Sequence, residues 1–543
     1  MSIKLQNLPK ISVVVPVYNT PPVLLDACLA SVIRQTYSNW ELCICDDASS
    51  STQTQATLDC YRGQDPRIRI VRLSCNANIS KASNVAAEQA TGQFLAFLDH
   101  DDCLHLDALG EIAEAIAAHP DVDLIYTDED KLAPDGSHIE PYFKPDWSPD
   151  HLFSVMYVLH CLVIRKQLFW ELSGFRPGYE GAQDYDLVLR AAQKARRISH
   201  IPKVLYHWRI NPGSSAGQVD AKPYALTAAQ KALREVVSSK YAGTVETGLL
   251  PGTFRVRYPI KGVPEVTLVI FTGFRRRFVE RRGHILLAEN FVRSILSKSS
   301  YPNYRIFLIH DGRCPKAIRN LIKNCNGRLA SFPKEIDFNF SRKVNFAFAR
   351  IQTEHFILLN DDLEVINSDW IESLLEHSQR GDIGAVGPHL LFADGSTQHA
   401  GIVCGIHGSA SHIFHRMPPE VVGYNGFSHL IRNYSAVTAA ALATRMSVVE
   451  QVGPLDERLP IDFNDIDFCL RVRAAGYRIV YTPYSALYHF EGSSILRKEP
   501  QNARIFCEKW ADLIERDPYY NPNLPRDRLD FGIQYQGSAD RNP

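Results

Sequence analysis

A nearly continuous β-branched run, Ile11-Ser12-Val13-Val14-Val15-Pro16-Val17-Tyr18, opens the chain, with the apolarity of a strand buried on both faces. Similar runs recur at Trp40 to Cys45, Ile68 to Leu73, Phe94 to Leu98 and Val122 to Tyr126. Between them lie helical patterns such as Leu24 to Gln35 and Ala82 to Ala90. The alternation is βαβα and predicts an α/β fold with a parallel sheet. Such sheets bind ligands beyond the carboxyl ends of their strands, so the residues that follow each run are the places to look for chemistry.

The same order returns after a Pro/Gly-punctuated stretch from Gly248 to Pro264. Val266 to Phe271 answers Ile11 to Pro16, Tyr304 to Ile309 answers Trp40 to Cys45, and Phe356 to Leu359 answers Leu95 to Leu98. Ser80-Lys81-Ala82-Ser83-Asn84 matches Ser341-Arg342-Lys343-Val344-Asn345, and Gln183-Asp184-Tyr185-Asp186-Leu187 matches Asn464-Asp465-Ile466-Asp467-Phe468. The offset of about 260 to 280 residues is that of a duplicated domain. The expected organisation is an N-terminal domain over 1–247, a linker over 248–264 and a C-terminal domain over 265–543.

A length of 543 residues fits two large domains, and 45% hydrophobic with 22% charged residues is an ordinary globular balance. The 59 basic and 60 acidic residues cancel, so no global field points to nucleic acid or anionic lipid. Residues Met1 to Lys10 lack the apolar core of a secretory signal, and no stretch is apolar enough to span a bilayer; the chain reads as cytoplasmic. Its 12 cysteines lie scattered in apolar runs, without CxxC pairs or zinc spacing, and read as reduced, buried thiols.

Candidate chemistry clusters after the strands. In Leu98-Asp99-His100-Asp101-Asp102, an extended backbone would turn Asp99 and Asp101 to one side, where two hard oxygen ligands suit Mg2+ or Mn2+ and a diphosphate. The other reading is an acidic turn that caps the helix after Leu106. Asp46-Asp47-Ala48-Ser49 could accept from a nucleobase or ribose, or could cap the next helix. Asp184 stands at the start of an amphipathic helix, where its carboxylate could take a proton as a general base, while Asp186 reads equally as a structural cap. In Tyr206-His207-Trp208-Arg209, function and packing suit His207 equally well.

Together, Val15-Pro16-Val17-Tyr18-Asn19, Asp46-Asp47, Asp99 to Asp102, Gln183 to Asp186 and Tyr206 to Arg209 resemble the family 2 glycosyltransferases in order and spacing. Asn433-Tyr434-Ser435-Ala436-Val437-Thr438 and Thr482-Pro483-Tyr484-Ser485 through His489 resemble tandem-domain enzymes of bacterial O-antigen and cell-surface polysaccharide assembly, often called rhamnosyltransferases. The resemblance implies two tandem GT-A, Rossmann-like domains that bind a nucleoside diphosphate sugar and transfer the sugar with inversion. It places Pro16 and Tyr18 around the nucleotide and Asp47 on the base. Asp99 and Asp101 fall on ribose and metal, Asp184 at the general base, and His207 beside the metal and diphosphate.

Carried to the second half, the resemblance assigns Asp311 to the base contact, Asn360 and Asp362 to the metal motif, Asp465 to the catalytic base and His489 to the late histidine. Departures are Phe271 for the strand proline, His310 for Asp46, the neutral Asn360, and a long basic loop through Arg275-Arg276-Arg277. A His-rich stretch, Gln398-His399-Ala400-Gly401 and His407 to His415, reads as acceptor-pocket lining or loop packing ahead of zinc binding. The implied donor is a UDP-, dTDP- or GDP-sugar and the implied acceptor a lipid-linked glycan, met at the cytoplasmic face of the inner membrane by peripheral association, with no nucleic acid partner. Two active domains are the leading expectation. The alternatives are one active domain beside an acceptor-holding one, and a non-catalytic nucleotide-sugar or glycan-binding protein.

Overall fold

In the computed structural model, which describes residues 8–211, 223–279, 282–333, 338–490 and 500–532, the first run becomes β1 (Ile11–Val17), buried along its whole length. After it come β2 (Trp40–Asp46), β3 (Ile68–Arg72), β4 (Phe94–Phe97), β5 (Cys103–Leu104), β6 (Leu124–Leu132), β7 (His138–Tyr142), β8 (Val163–Arg165) and β9 (Ile198–Arg209). They form one sheet in the order β3-β2-β1-β4-β8-β6-β9-β5, with β7 beside β6. Helices Pro22–Ile33 and Ala108–Ala118 bury Leu25, Leu29, Leu109 and Ile112 in one core with Val13, Val15 and Ile44. On β1 and β2 lies helix Asn78–Glu88, whose small buried residues Ala82, Ala86 and Ala87 allow close approach.

The βαβ half of this sheet is parallel as the pattern predicts: β1 runs with β2 and β4, and β2 with β3. The other half is mixed. Strand β8 is antiparallel to β4 and to β6, while β6 runs parallel to β9. A buried apolar run has the same composition in either direction, so hydrophobic periodicity does not report strand polarity.

The second half repeats the order. Strands Arg328–Ser331, Tyr304–His310, Val266–Thr272, His355–Asn360, Ala441–Arg445, Ile383–Leu391, Arg478–His489 and Leu363–Val365 follow one another across a ten-stranded sheet. Each stands where β3, β2, β1, β4, β8, β6, β9 and β5 stand in the first, so the duplication is one of topology as well as sequence. The basic loop through Arg275 to Arg277 continues into an antiparallel hairpin, Arg276–Val279 with Gly283–Leu286.

The chain divides into two compact units, one of Met1–Trp147, Val155–Thr247 and Pro251–Val256, the other of Ser148–Ser154, Gly248–Leu250 and Arg257–Pro543. Segment Ser148–Ser154 thus belongs to the second unit, held there by Asn433. The Asn433 amide donates to Asp150 Oδ2 at 2.8 Å, and its Oδ1 accepts from Asp150 N and Ser148 Oγ, both at 3.1 Å. Asp150 Oδ1 also accepts from Arg380 at 2.6 Å, and Arg478 Nε donates to Oδ2 at 3.2 Å. Burial opposes the charge of this carboxylate, yet Arg380 and Arg478 hold it well below the usual carboxylate range.

None of the 12 cysteines is bridged, and Cys60 and Cys75 are exposed rather than buried. Among the described residues no helix is long and apolar enough to cross a membrane.

Candidate functional site

A cavity of about 1130 Å3 opens beyond the carboxyl ends of β1, β2 and β4 in the first unit. Pro16 and Tyr18 from the end of β1, Asp47 after β2, Asp99 after β4 and Asp184 from helix Gln183–Ala191 all line it. Five predicted residues from four separate segments thus meet in one space. Gly181 shapes the turn before that helix, with φ of +85° and room for no Cβ: one added there would lie 2.8 Å from the Tyr224 ring.

The two aspartates after β2 divide their roles. Asp46 is fully buried and structural, accepting from Ser49 N at 2.9 Å and pairing with Arg72 at 2.6 Å. Asp47 reaches the cavity and accepts from Ala77 N at 2.7 Å. Neither Asp47 nor Ser49 caps the next helix; Ser51 does, its hydroxyl accepting from Thr54 N.

The acidic run after β4 is a turn, not the extended segment the sequence suggests, for Asp102 N donates to Asp99 O at 3.1 Å. The turn gives each carboxylate its own setting. Asp99 faces the cavity; Asp101 receives the Asn211 amide at 2.9 Å; Asp102 is buried, accepting Tyr206 Oη at 2.6 Å and Arg209 N at 2.7 Å. Burial first, then the charges of Asp99 and Asp101, push the Asp102 carboxyl well above its ordinary value. None of the three caps the helix after Leu106. Asp99 and Asp101 supply carboxylate oxygens from a single turn, a donor type that fits a hard divalent cation.

Asp184 Oδ1 accepts from Tyr185 N at 2.8 Å, and burial raises its carboxyl above the ordinary range. Asp186, two residues on, is consumed by structure: Arg176 and Arg190 both pair with it, and it is 1% exposed. Helix periodicity explains the split, since residues two apart face different sides.

His207 does not join this group. Its neighbours Tyr206 and Trp208 face the cavity side, Trp208 on the wall and Tyr206 under Asp99, whereas His207 Nδ1 lies 2.6 Å from Asp130 Oδ1. Strand alternation puts it on the face opposite Tyr206 and Trp208, where it meets Asp130 instead of lining the cavity, away from its expected place beside the diphosphate. Two imidazoles line the cavity, His100 of the acidic turn and His160, the latter stacked on Tyr206 with ring centroids 4.5 Å apart. Burial works against its charge, but Glu129, with Nδ1 3.4 Å from Oε2, and the more distant Asp99 and Asp102 raise its pKa to about 9. Buried Lys144 pairs with Glu129 at 2.9 Å and donates to the His160 carbonyl at 2.6 Å, fixing both. No spacing motif marks His160; the long-range pairing of β6 with the segment before β8 brings it in.

In the second unit Asp311 follows its strand as Asp47 does, but Lys343 Nζ pairs with it at 2.8 Å. Asn360 ends strand His355–Asn360. Asp361 accepts from Thr272 Oγ1 at 2.5 Å, and burial raises its pKa to about 6. Asp362 lies 3.2 Å from His489 Nε2, so the structure brings that expected pair together. By sheet register, however, Asp362 precedes its strand as Asp102 precedes β5: Leu363 sits opposite His489 as Cys103 sits opposite His207. Asp465 accepts from Ala439 N and Ile466 N, each at 2.9 Å, and burial raises its carboxyl above the ordinary range.

The His-rich stretch folds inward. His399 Nδ1 lies 3.1 Å from His412 Nδ1, and the rings of His412 and His415 are 6.5 Å apart. Burial, with repulsion from His415 and His489, lowers His412 to about 4, and burial with three histidine neighbours drives His399 well below its ordinary value. Burial thus favours the neutral form of His399 and His412. His407 stands apart in a 3-10 turn at Ile406–Gly408.

The sequence model of glycosyl transferase family 2 matches residues 12–173 and 287–432. Two relatives align along almost all of the chain. The uncharacterized protein y4gI of Sinorhizobium fredii is 40% identical over 544 residues, covering 97% of this chain and 59% of the relative. The O-antigen biosynthesis protein RfbC of Myxococcus xanthus is 34% identical over 541 residues, covering 98% of this chain and 41% of the relative. The chain thus spans about half the length of the curated relatives it matches. Among solved structures, S. aureus TarS 1-349 in complex with UDP-GlcNAc matches at 21% identity and a TM-score of 0.33, over 43% of this chain and 73% of that one.

Proposed function

Because the chain belongs to glycosyl transferase family 2, we propose that its first unit binds a nucleoside diphosphate sugar in the 1130 Å3 cavity and transfers the sugar, with inversion, to a glycan acceptor. The convergence of Pro16, Tyr18, Asp47, Asp99 and Asp184 on that cavity is the observation that carries the reading. Tyr18 and Pro16 frame the base, and Asp47 accepts from its N–H groups. Asp99 and Asp101 are the residues to hold Mn2+ or Mg2+, and the ion, when bound, neutralises charge on the departing diphosphate. His207 is not part of that set.

Asp184 takes the proton of the acceptor hydroxyl. One oxygen is held by Tyr185 N–H and the other is left for the acceptor. Burial strengthens it as a base, because a carboxylate stripped of water binds a proton more tightly. The cation of His160 stands on the same wall, a fixed positive charge toward the diphosphate.

The relative named for O-antigen biosynthesis supports a cell-surface polysaccharide as product. The acceptor we propose is a lipid-linked glycan, met at the cytoplasmic face of the inner membrane. For the second unit, Asp465 as base supports a second transferase site, so that the chain is bifunctional, while Asp362 and His489, expected as metal donors, stand at the register positions of Asp102 and His207. One observation favours a different role: Lys343 occupies Asp311, the residue that would receive a nucleobase. On that reading the second unit holds the acceptor.

The test is calorimetric titration of UDP, dTDP and GDP sugars into the full chain, with and without Mn2+, alongside Asp99→Ala and Asp311→Ala variants. Metal-dependent donor binding abolished by Asp99→Ala supports the site. Equal binding in that variant refutes it. A second binding event lost in Asp311→Ala supports two donor sites; a single event supports an acceptor-holding second unit.

A further inference from the structure

The imidazole that the catalytic cavity does not use has a site of its own. Behind the cavity wall, Asp130 of β6 stands directly opposite His207 of β9, and β7 brings His138 to the carboxylate's other oxygen. Asp130 Oδ1 lies 2.6 Å from His207 Nδ1 and Oδ2 lies 2.9 Å from His138 Nδ1. The ligand atoms of all three residues fall within 4.8 Å of one another. We propose that Asp130, His138 and His207 form a binding site for a transition-metal dication, Zn2+ above all, distinct from the oxygen-ligated site at Asp99 and Asp101.

Two imidazoles and one carboxylate are a donor set that favours zinc over magnesium or manganese, and three protein ligands leave a tetrahedral ion one position for water. The three residues come from three strands of one sheet, so the backbone holds them in place and binding orders little chain. Asp130 is 9% and His207 12% exposed at the side chain, whereas His138 is 51% exposed and gives the ion a way in. The ring of His105 lies edge-on to that of His207, centroids 6.0 Å apart. Binding replaces the two N–H···O bonds, the contacts opening to about 3.3 Å around a tetrahedral ion, with each imidazole carrying its proton on Nε2 and offering Nδ1. Bound there, the ion would tie the edge strand β7 to β6 and β9, and it would act on the stability of this edge.

Full-length protein stripped with a chelator is titrated with Zn2+ against a chromophoric competitor, and with Co2+ followed by visible absorption. The expected result is zinc held by wild type and by Asp101→Asn, weakened by at least about tenfold in His138→Ala and in Asp130→Asn. A Co2+ ligand-field band should vanish in His138→Ala, and Zn2+ should raise the thermal midpoint of wild type but not of that variant. His138 is half exposed, so its removal leaves the fold intact. Equal zinc affinity in wild type and His138→Ala, or no zinc retained by wild type, makes the triad a hydrogen-bonded cluster and overturns the proposal.

Discussion

Lys343 Nζ sits 2.8 Å from Asp311 Oδ2, at a place where the first unit has Ala82 lining an open cavity and leaves Asp47 to a backbone N–H. One substitution thus separates two sites built on the same strand order. In the second unit a buried ammonium pairs with one oxygen of the carboxylate that a nucleobase would otherwise meet. Lys343→Ala should free Asp311 and strengthen nucleoside diphosphate binding by the second unit by about 1.5 kcal/mol, roughly tenfold. Calorimetry in an Asp99→Ala background, where the first site is silent, checks it.

Asp184→Asn should lower transfer by about 10²- to 10⁴-fold while donor affinity stays within a few-fold, since a base acts mainly in the transition state. Single-turnover transfer and donor titration on one preparation separate the two. Loss of donor binding would show that Asp184 binds the sugar instead.

The activity should be bell-shaped in pH. Asp184 must be ionised, so the acid limb rises through a pKa above that of an ordinary carboxylate. The alkaline limb falls near 9, where His160 loses the charge that faces the diphosphate. Glu129→Gln should move that limb to lower pH, because Glu129 is the main support of the His160 cation. An unshifted limb would dissociate His160 from donor binding.

The same group links pH to folding. His160 has a folded pKa raised to about 9 from an ordinary value near 6.5, so its contribution to stability is complete below about pH 6.5 and is lost as pH climbs through about 9. Denaturation midpoints of wild type should fall over that window more than those of His160→Gln. Parallel curves would refute the linkage.

Asp150→Ala should destabilise the second unit by about 3 kcal/mol, because it removes the 2.6 Å carboxylate partner of buried Arg380 and leaves it Asp382 at 3.4 Å. Asp150→Asn keeps the shape but removes the charge, and should lie between. Urea denaturation of the full chain measures both.

Much of this protein was legible in the sequence. Burial on both faces demands unbroken apolar strands, and ligands meet such sheets at the carboxyl ends, so β1 to β4 and the residues Pro16, Tyr18, Asp47 and Asp99 could be read in order. Asp184 was legible from its position at a helix start, and the duplication from repeated motifs. These are local signals, set by the period of one element and the residue that follows it.

Tertiary structure decided what local signals leave open. Strand polarity made half the sheet mixed, since an apolar run is blind to direction. Side-chain direction sent His207 to Asp130 and off the cavity wall, and brought His160, which no motif marks, onto it. The place of Ser148–Ser154 in the second unit, gripped by Asn433 and Arg380, rests on partners more than two hundred residues away in sequence. Sequence determines which groups are available, because each element carries its own pattern. Which of them share a space depends on long-range strand pairing, and no local period encodes that.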